Sequence, residues 1–186
     1  MMSLFCVAAC LSSVVMCARQ GSKQPPQTKT KVDLKYDKAK NLSSVTLPLS
    51  IWEGISKTDS LDLDVTFAYP GHVIVTPSMV RFRFFVSDDP AFGINDEALV
   101  FHVDGARLDL GNMKEVHHSN RTEGEYIKST FQVFELSVPY DKLTQIVKGK
   151  LVKIELGGRK YDLSSKNLKA LSDFAELMKQ NGQEFK

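Results

Sequence analysis

Between residues 61 and 67 apolar and polar side chains alternate without a break, Leu61, Leu63, Val65 and Phe67 against Asp62, Asp64 and Thr66. Successive side chains of a strand point to opposite sides, so a period of two marks a strand with one dry face and one wet face. Met79 to Val86 repeats the pattern, with Arg81 and Arg83 opposite Val80, Phe82 and Phe84. Ile127 to Val138 reads as a further long strand. Ala98–Val103 and Ala106–Leu110 flank Asp104-Gly105, and Leu151–Leu156 and Arg159–Leu163 flank Gly157-Gly158. Such pairs suit the tight hairpin turns that need positive φ at both central residues. Tyr69-Pro70-Gly71 supplies another turn. A chain built this way must close its strands into sheets.

Two segments depart from that period. Pro139 can open a short helix over Tyr140 to Lys148, with Gly149 in the left-handed position that closes it. At the C-terminus, Ser164 or Ser165 is placed to cap a second helix. In it Leu168, Leu171, Phe174, Ala175, Leu177 and Met178 share one stripe, and Gly182 ends it. The expected fold is mainly β: an antiparallel β-sandwich of about seven or more strands, with a short helix and a C-terminal amphipathic helix laid on one sheet or across an open edge. The 186 residues suffice for one such core without a metal or disulfide, since a chain of this size buries roughly 70% of its unfolded surface.

All three cysteines, Cys6, Cys10 and Cys17, precede residue 18, so neither a disulfide framework nor a thiolate site can exist in the body of the chain. They lie in or beside an uncharged run, Leu4 to Cys17, of the length of a secretory signal core and too short to span a bilayer. Residues 1–18 are read as a signal or lipoprotein-type export segment. Val7-Ala8-Ala9-Cys10 and Val14-Val15-Met16-Cys17 each approximate a lipidation box, making Cys10 or Cys17 the acceptor, and cleavage near Ala18 is the plainer alternative. Against export stand the lack of Lys or Arg before Leu4 and the presence of Arg19 and Lys23 just after the run. Residues 19–40 carry seven Lys/Arg against two Asp/Glu, a net of +5, and are read as a basic flexible linker able to touch anionic headgroups. Residues 41–186 carry 17 against 20, a net of −3, and form the single sandwich domain with its helix. That balance excludes an electrostatically driven nucleic-acid binder.

Several elements resemble an uncharacterised family of small exported bacterial proteins: Tyr69-Pro70-Gly71, Asp104-Gly105 followed by Arg107 and Leu110-Gly111, Val152 to Gly157, and Ala170-Leu171 to Phe174-Ala175. The likeness spans about residues 45–178. It implies a β-rich fold and export, and carries no catalytic residue with it.

Three constellations bear on chemistry. His102 and Asp104, two apart on a strand, should share a face, as should Glu115 and His117, with His118 adjacent. Imidazoles with carboxylates can hold zinc, although no His-Glu-x-x-His stands here, and the bland alternative makes His102 a half-buried strand residue and His117-His118 a polar loop. The loop from Ser87 through Asp88, Asp89 and Pro90 to Asn95, Asp96 and Glu97 offers oxygen donors to calcium, or simply turn formers. Trp52, Tyr69 and Tyr126 form either an exposed aromatic platform or core plugs. No nucleophile elbow or phosphate loop occurs. The reading is an exported binding or interaction module, tethered through its N-terminus, with an unidentified protein or envelope component as partner and no cofactor. The alternative is a metal-dependent hydrolase using His102, His117 and His118.

Overall fold

The computed structural model describes residues 31–54, 59–88, 94, 98–123, 126–180 and 182. These form two antiparallel sheets and two helices. The strands are β1 (Asp33–Asp37), β2 (Leu42–Glu53), β3 (Ser60–Pro70), β4 (Met79–Asp88), β5 (Ala98–Val103), β6 (Ala106–Asn112), β7 (Lys114–Glu123), β8 (Tyr126–Pro139), β9 (Val152–Leu156) and β10 (Arg159–Asp162). Helix α1 (Tyr140–Ile146) follows β8, and α2 (Ser165–Met178) follows β10. The large sheet runs β1-β2-β3-β4-β8-β7 and the small one β10-β9-β5-β6. This is the mainly β, two-sheet architecture with a short and a C-terminal helix that the alternation calls for.

The dry residues of β2, β3 and β4 meet the small sheet and α2 in one core. Leu47, Leu63, Val65, Phe82 and Phe84 are at most 1% exposed. The Phe82 ring lies 6.1 Å from Phe101 of the small sheet, and the Phe67 ring 5.5 Å from Phe174 of α2. Helix α2 is therefore part of the second layer. Ser164 caps it, its hydroxyl accepting from the Asn167 N–H at 3.1 Å. The helix also closes an edge. Strand β1 pairs with β2 only as far as Thr46, and beyond that point Asn167 Nδ2 donates to the Ser50 carbonyl at 2.7 Å. Pro48, lacking an N–H, further blunts this open stretch.

Several local expectations are corrected. Asp33–Asp37 form β1 on the edge of the large sheet, so the domain starts before residue 41 and takes in part of the expected linker; residues 19–30 lie outside the described residues. Lys114–Glu123 form β7, so His117 and His118 stand on a strand and not in a loop. Helix α1 stops at Ile146 with Val147 as a right-handed cap, and Gly149 has no left-handed φ. Gly149 answers to crowding instead, because a Cβ there would sit 2.5 Å from Val103 Cγ1. Helix α2 stops at Met178, before Gly182, whose N–H donates to the Ile74 carbonyl at 3.0 Å. The hairpin turn at Asp104-Gly105 has the expected positive φ at both residues, 51° and 87°.

Candidate functional site

The outer face of the large sheet carries no second layer of described residues. Along β4 it presents Met79, Arg81, Arg83 and Phe85 in register. Arg83 stands between Asp64 of β3 and Glu135 of β8, and its guanidinium binds the Glu135 carboxylate through both Nε and Nη2. Burial raises the Asp64 pKa above the usual aspartate range, against the opposing pull of Arg83. One step along the strand, Arg81 stands between Thr66 and Ser137, and has no carboxylate partner among the described residues. Two arginines on one face of one strand thus differ in state: Arg83 is neutralised by its neighbours and Arg81 is not.

Arg81 also joins two clefts. One, of about 280 Å³, is lined by Asp33, Lys35, Ser44, Thr46, Asp64 and Arg83 together with Thr66 and Arg81. The other, of about 540 Å³, is a depression whose apolar lining includes Leu42, Ala68, Pro70, Val75, Pro77 and Met79, and whose polar lining includes Thr66, Thr76, Ser78 and Ser137. Leu42, Val75 and Met79 are 36%, 47% and 45% exposed. The depression is held in shape from behind. Ile74 is buried beside Val75, and Thr76 Oγ1 donates to the Met178 carbonyl at the end of α2 at 3.0 Å. A third cleft, of about 690 Å³, lies between β2 and α2, with Lys31 and Lys166 on its rim.

The histidines fall on different sheets. His102 is on β5, where its Nε2 meets Glu155 Oε2 of β9 at 2.6 Å, and Lys160 approaches the same oxygen at 3.5 Å. The His102 hydrogen bond, helped by Lys160, lowers the Glu155 pKa below the glutamate range. Asp104 does not join His102. Its left-handed backbone turns the carboxylate toward the backbone N–H groups of Lys150 and Leu151, which donate to Oδ1 at 2.9 and 2.8 Å. That latch ties the hairpin to the start of β9.

On β7 a bulge between Glu115 and His117 changes the expected pairing. The extra residue brings Glu115 and His118 to the same face, and Glu115 Oε1 meets His118 Nδ1 at 2.7 Å. His118 Nε2 lies 3.3 Å from Asn120 Oδ1, which also accepts from the Thr130 hydroxyl at 3.2 Å. His117 turns the other way, against the Phe131 ring at 5.8 Å. The carboxylate–imidazole pair thus ends on an amide oxygen, with no nucleophile beyond it among the described residues. His102, His117 and His118 are not brought together, and no group of three His, Cys, Asp or Glu able to hold a metal occurs among the described residues. The calcium reading rests on residues that escape the test: Asp88 ends β4, while Asp89, Asp96 and Glu97 lie outside the described residues, as do Cys10 and Cys17. The expected aromatic platform loses Tyr69, and the Tyr126 side chain lies outside those described. Tyr69 is buried in the core, and Trp52 is 36% exposed with its edge against Tyr161 at 5.8 Å.

Sequence reasoning missed Arg81 as a site residue. The signal was available in part: a cation on the wet side of a strand, beside exposed Met79. Its lack of a partner depends on Thr66 and Ser137 being its neighbours, which only strand register decides. The fold and site define a two-sheet antiparallel sandwich whose large sheet has an outer face of mixed charge, with Arg81 beside an exposed apolar patch. Comparison with protein-family models, with curated proteins and with solved structures returned no match.

Proposed function

We propose that this chain is an exported, membrane-tethered, non-enzymatic binding module whose ligand sits on the open face of the large sheet. The observation that carries the reading is the juxtaposition of Arg81, without a carboxylate partner among the described residues, and the apolar depression of Leu42, Val75 and Met79. An exposed apolar patch beside a free cation is the usual makeup of an interaction surface. Export is supported by the uncharged run Leu4 to Cys17, which holds every cysteine of the chain.

Each half of the proposal has its own test. Native expression with labelled palmitate should show incorporation lost in Cys17→Ser, or in Cys10→Ser if that is the acceptor; an intact N-terminus recovered from the cytosol would end the export claim. Capture of envelope components by the full chain should fall away in Arg81→Glu and persist in Lys153→Glu, on the small sheet. Equal capture by both variants would remove the open face as the binding site.

A further inference from the structure

Resting on that binding reading, we infer that the occupant of the open face is an extended segment of a partner protein, placing an apolar side chain in the depression and an acidic side chain on Arg81. Three observations converge. First, Arg81 can take an acid. Asp64 and Glu135 already surround Arg83, whereas the cross-strand neighbours of Arg81 are Thr66, whose hydroxyl is shared with Thr46, and Ser137; Asp33 and Asp64 lie further along the same cleft without pairing to Arg81. A carboxylate arriving at Arg81 gains a guanidinium partner without displacing one, and such charge-assisted pairs are the stronger hydrogen bonds.

Second, the depression lies on the outer side of a sheet and is open to solvent. Sites for free small molecules enclose most of the ligand. A ligand resting on Leu42, Val75 and Met79 must bring its own cover, which a segment of a larger protein does. Met and Arg are also the residue types enriched where proteins meet.

Third, the wall of the depression is pre-formed. Ile74 is buried, its carbonyl accepts from Gly182, and Thr76 is tied to the end of α2. Little ordering is left to offset the contacts made on binding. The spacing is that of a strand: Met79 and Arg81 are two residues apart on one face, so an extended segment meets them with residues two apart on its own.

The test uses the full chain and two blocked hexapeptides, Thr-Val-Asp-Leu-Val-Thr and the same peptide with Asn for Asp, read by calorimetry and by methyl shifts of Val75 and Met79. The acidic peptide should bind about tenfold more tightly than its amide twin, and Arg81→Gln should abolish that difference. Val75→Asp, at an exposed position, should lose both peptides without lowering the melting temperature. Equal affinity for the two peptides, or no binding of the acidic one, overturns the inference. Dodecanoate binding through Arg81 in the absence of peptide binding also overturns it, while leaving the open-face reading in place. Only capture unaffected by Arg81→Glu removes the underlying reading itself.

Discussion

The two faces of β4 differ more than any two sheets of this molecule do. Val80, Phe82, Phe84 and Val86 are at most 5% exposed and pack into the common core. Their immediate neighbours Met79, Arg81, Arg83 and Phe85 stand on the open side. One strand thus serves stability with its even residues and presents chemistry with its odd ones. The difference teaches which substitutions are expensive: those on the inner face remove packing, while those on the outer face remove an ion pair or nothing at all.

The largest expected effect breaks the contrast between adjacent phenylalanines. Phe84→Ala should cost about 3–5 kcal/mol in denaturant unfolding, as a fully buried aromatic does, and Phe85→Ala less than half of that. Equal losses would mean that the outer face is covered after all. Next comes the layer over the inner face. Leu171→Ala in α2 should cost about 2–5 kcal/mol, and an unchanged unfolding midpoint would take the helix out of the core.

The two arginines sharpen the comparison within the open face. Arg83→Met leaves the Glu135 carboxylate without its guanidinium partner, and should cost about 1–2 kcal/mol, discounted because both partners keep solvent contact. Arg81→Met should change stability by less than about 0.5 kcal/mol, a surface substitution with no carboxylate partner among the described residues to strand. A loss at Arg81 as large as that at Arg83 would mean that Arg81 is also neutralised in the fold.

Opposite in sign is the orphan on the inner face. Tyr69 buries a hydroxyl with no hydrogen-bond partner among the described residues, so Tyr69→Phe should leave the unfolding free energy unchanged or raise it by up to about 1 kcal/mol, read as an unchanged or higher melting temperature. A clear drop would show that the hydroxyl is satisfied.

The smallest effects lie in pH dependence, where Asp64 and Glu155 carry opposite signs. Asp64 has a raised folded pKa, so the native state holds its proton better, and this group's contribution to stability falls as pH rises from about 4 through the folded value. Glu155 has a lowered folded pKa, so its contribution is present above the ordinary glutamate range and is lost as pH falls through the folded value. Relative to wild type, Asp64→Asn should therefore lose ground toward acid and Glu155→Gln should gain it. Stability curves of matching slope for the two variants would contradict the assigned causes.

What the sequence by itself determined is whatever depends on near neighbours. Period-two alternation in β3 and β4, the turn residues Asp104-Gly105 and Gly157-Gly158, and the Ser164 cap with the apolar stripe of α2 are local, so their outcome could be read in advance. The same locality explains the failures. Strand β1 is short, and β7, with Glu115, His117, His118 and Arg121, lacks the apolar alternation that marks a strand; both are edges of the large sheet, held by pairing with the next strand of the chain, β2 and β8. Gly149 owes its place to the Val103 side chain and not to its own φ. The bulge that turns His118 toward Glu115 arises within the β7–β8 hairpin, whereas the latch of Asp104 on Lys150 and Leu151 and the unequal surroundings of Arg81 and Arg83 depend on segments brought together from far apart in the chain. Only tertiary structure decides which distant segments meet, because the backbone groups that pair them are alike in nearly every residue type, proline apart, and do not name their partner.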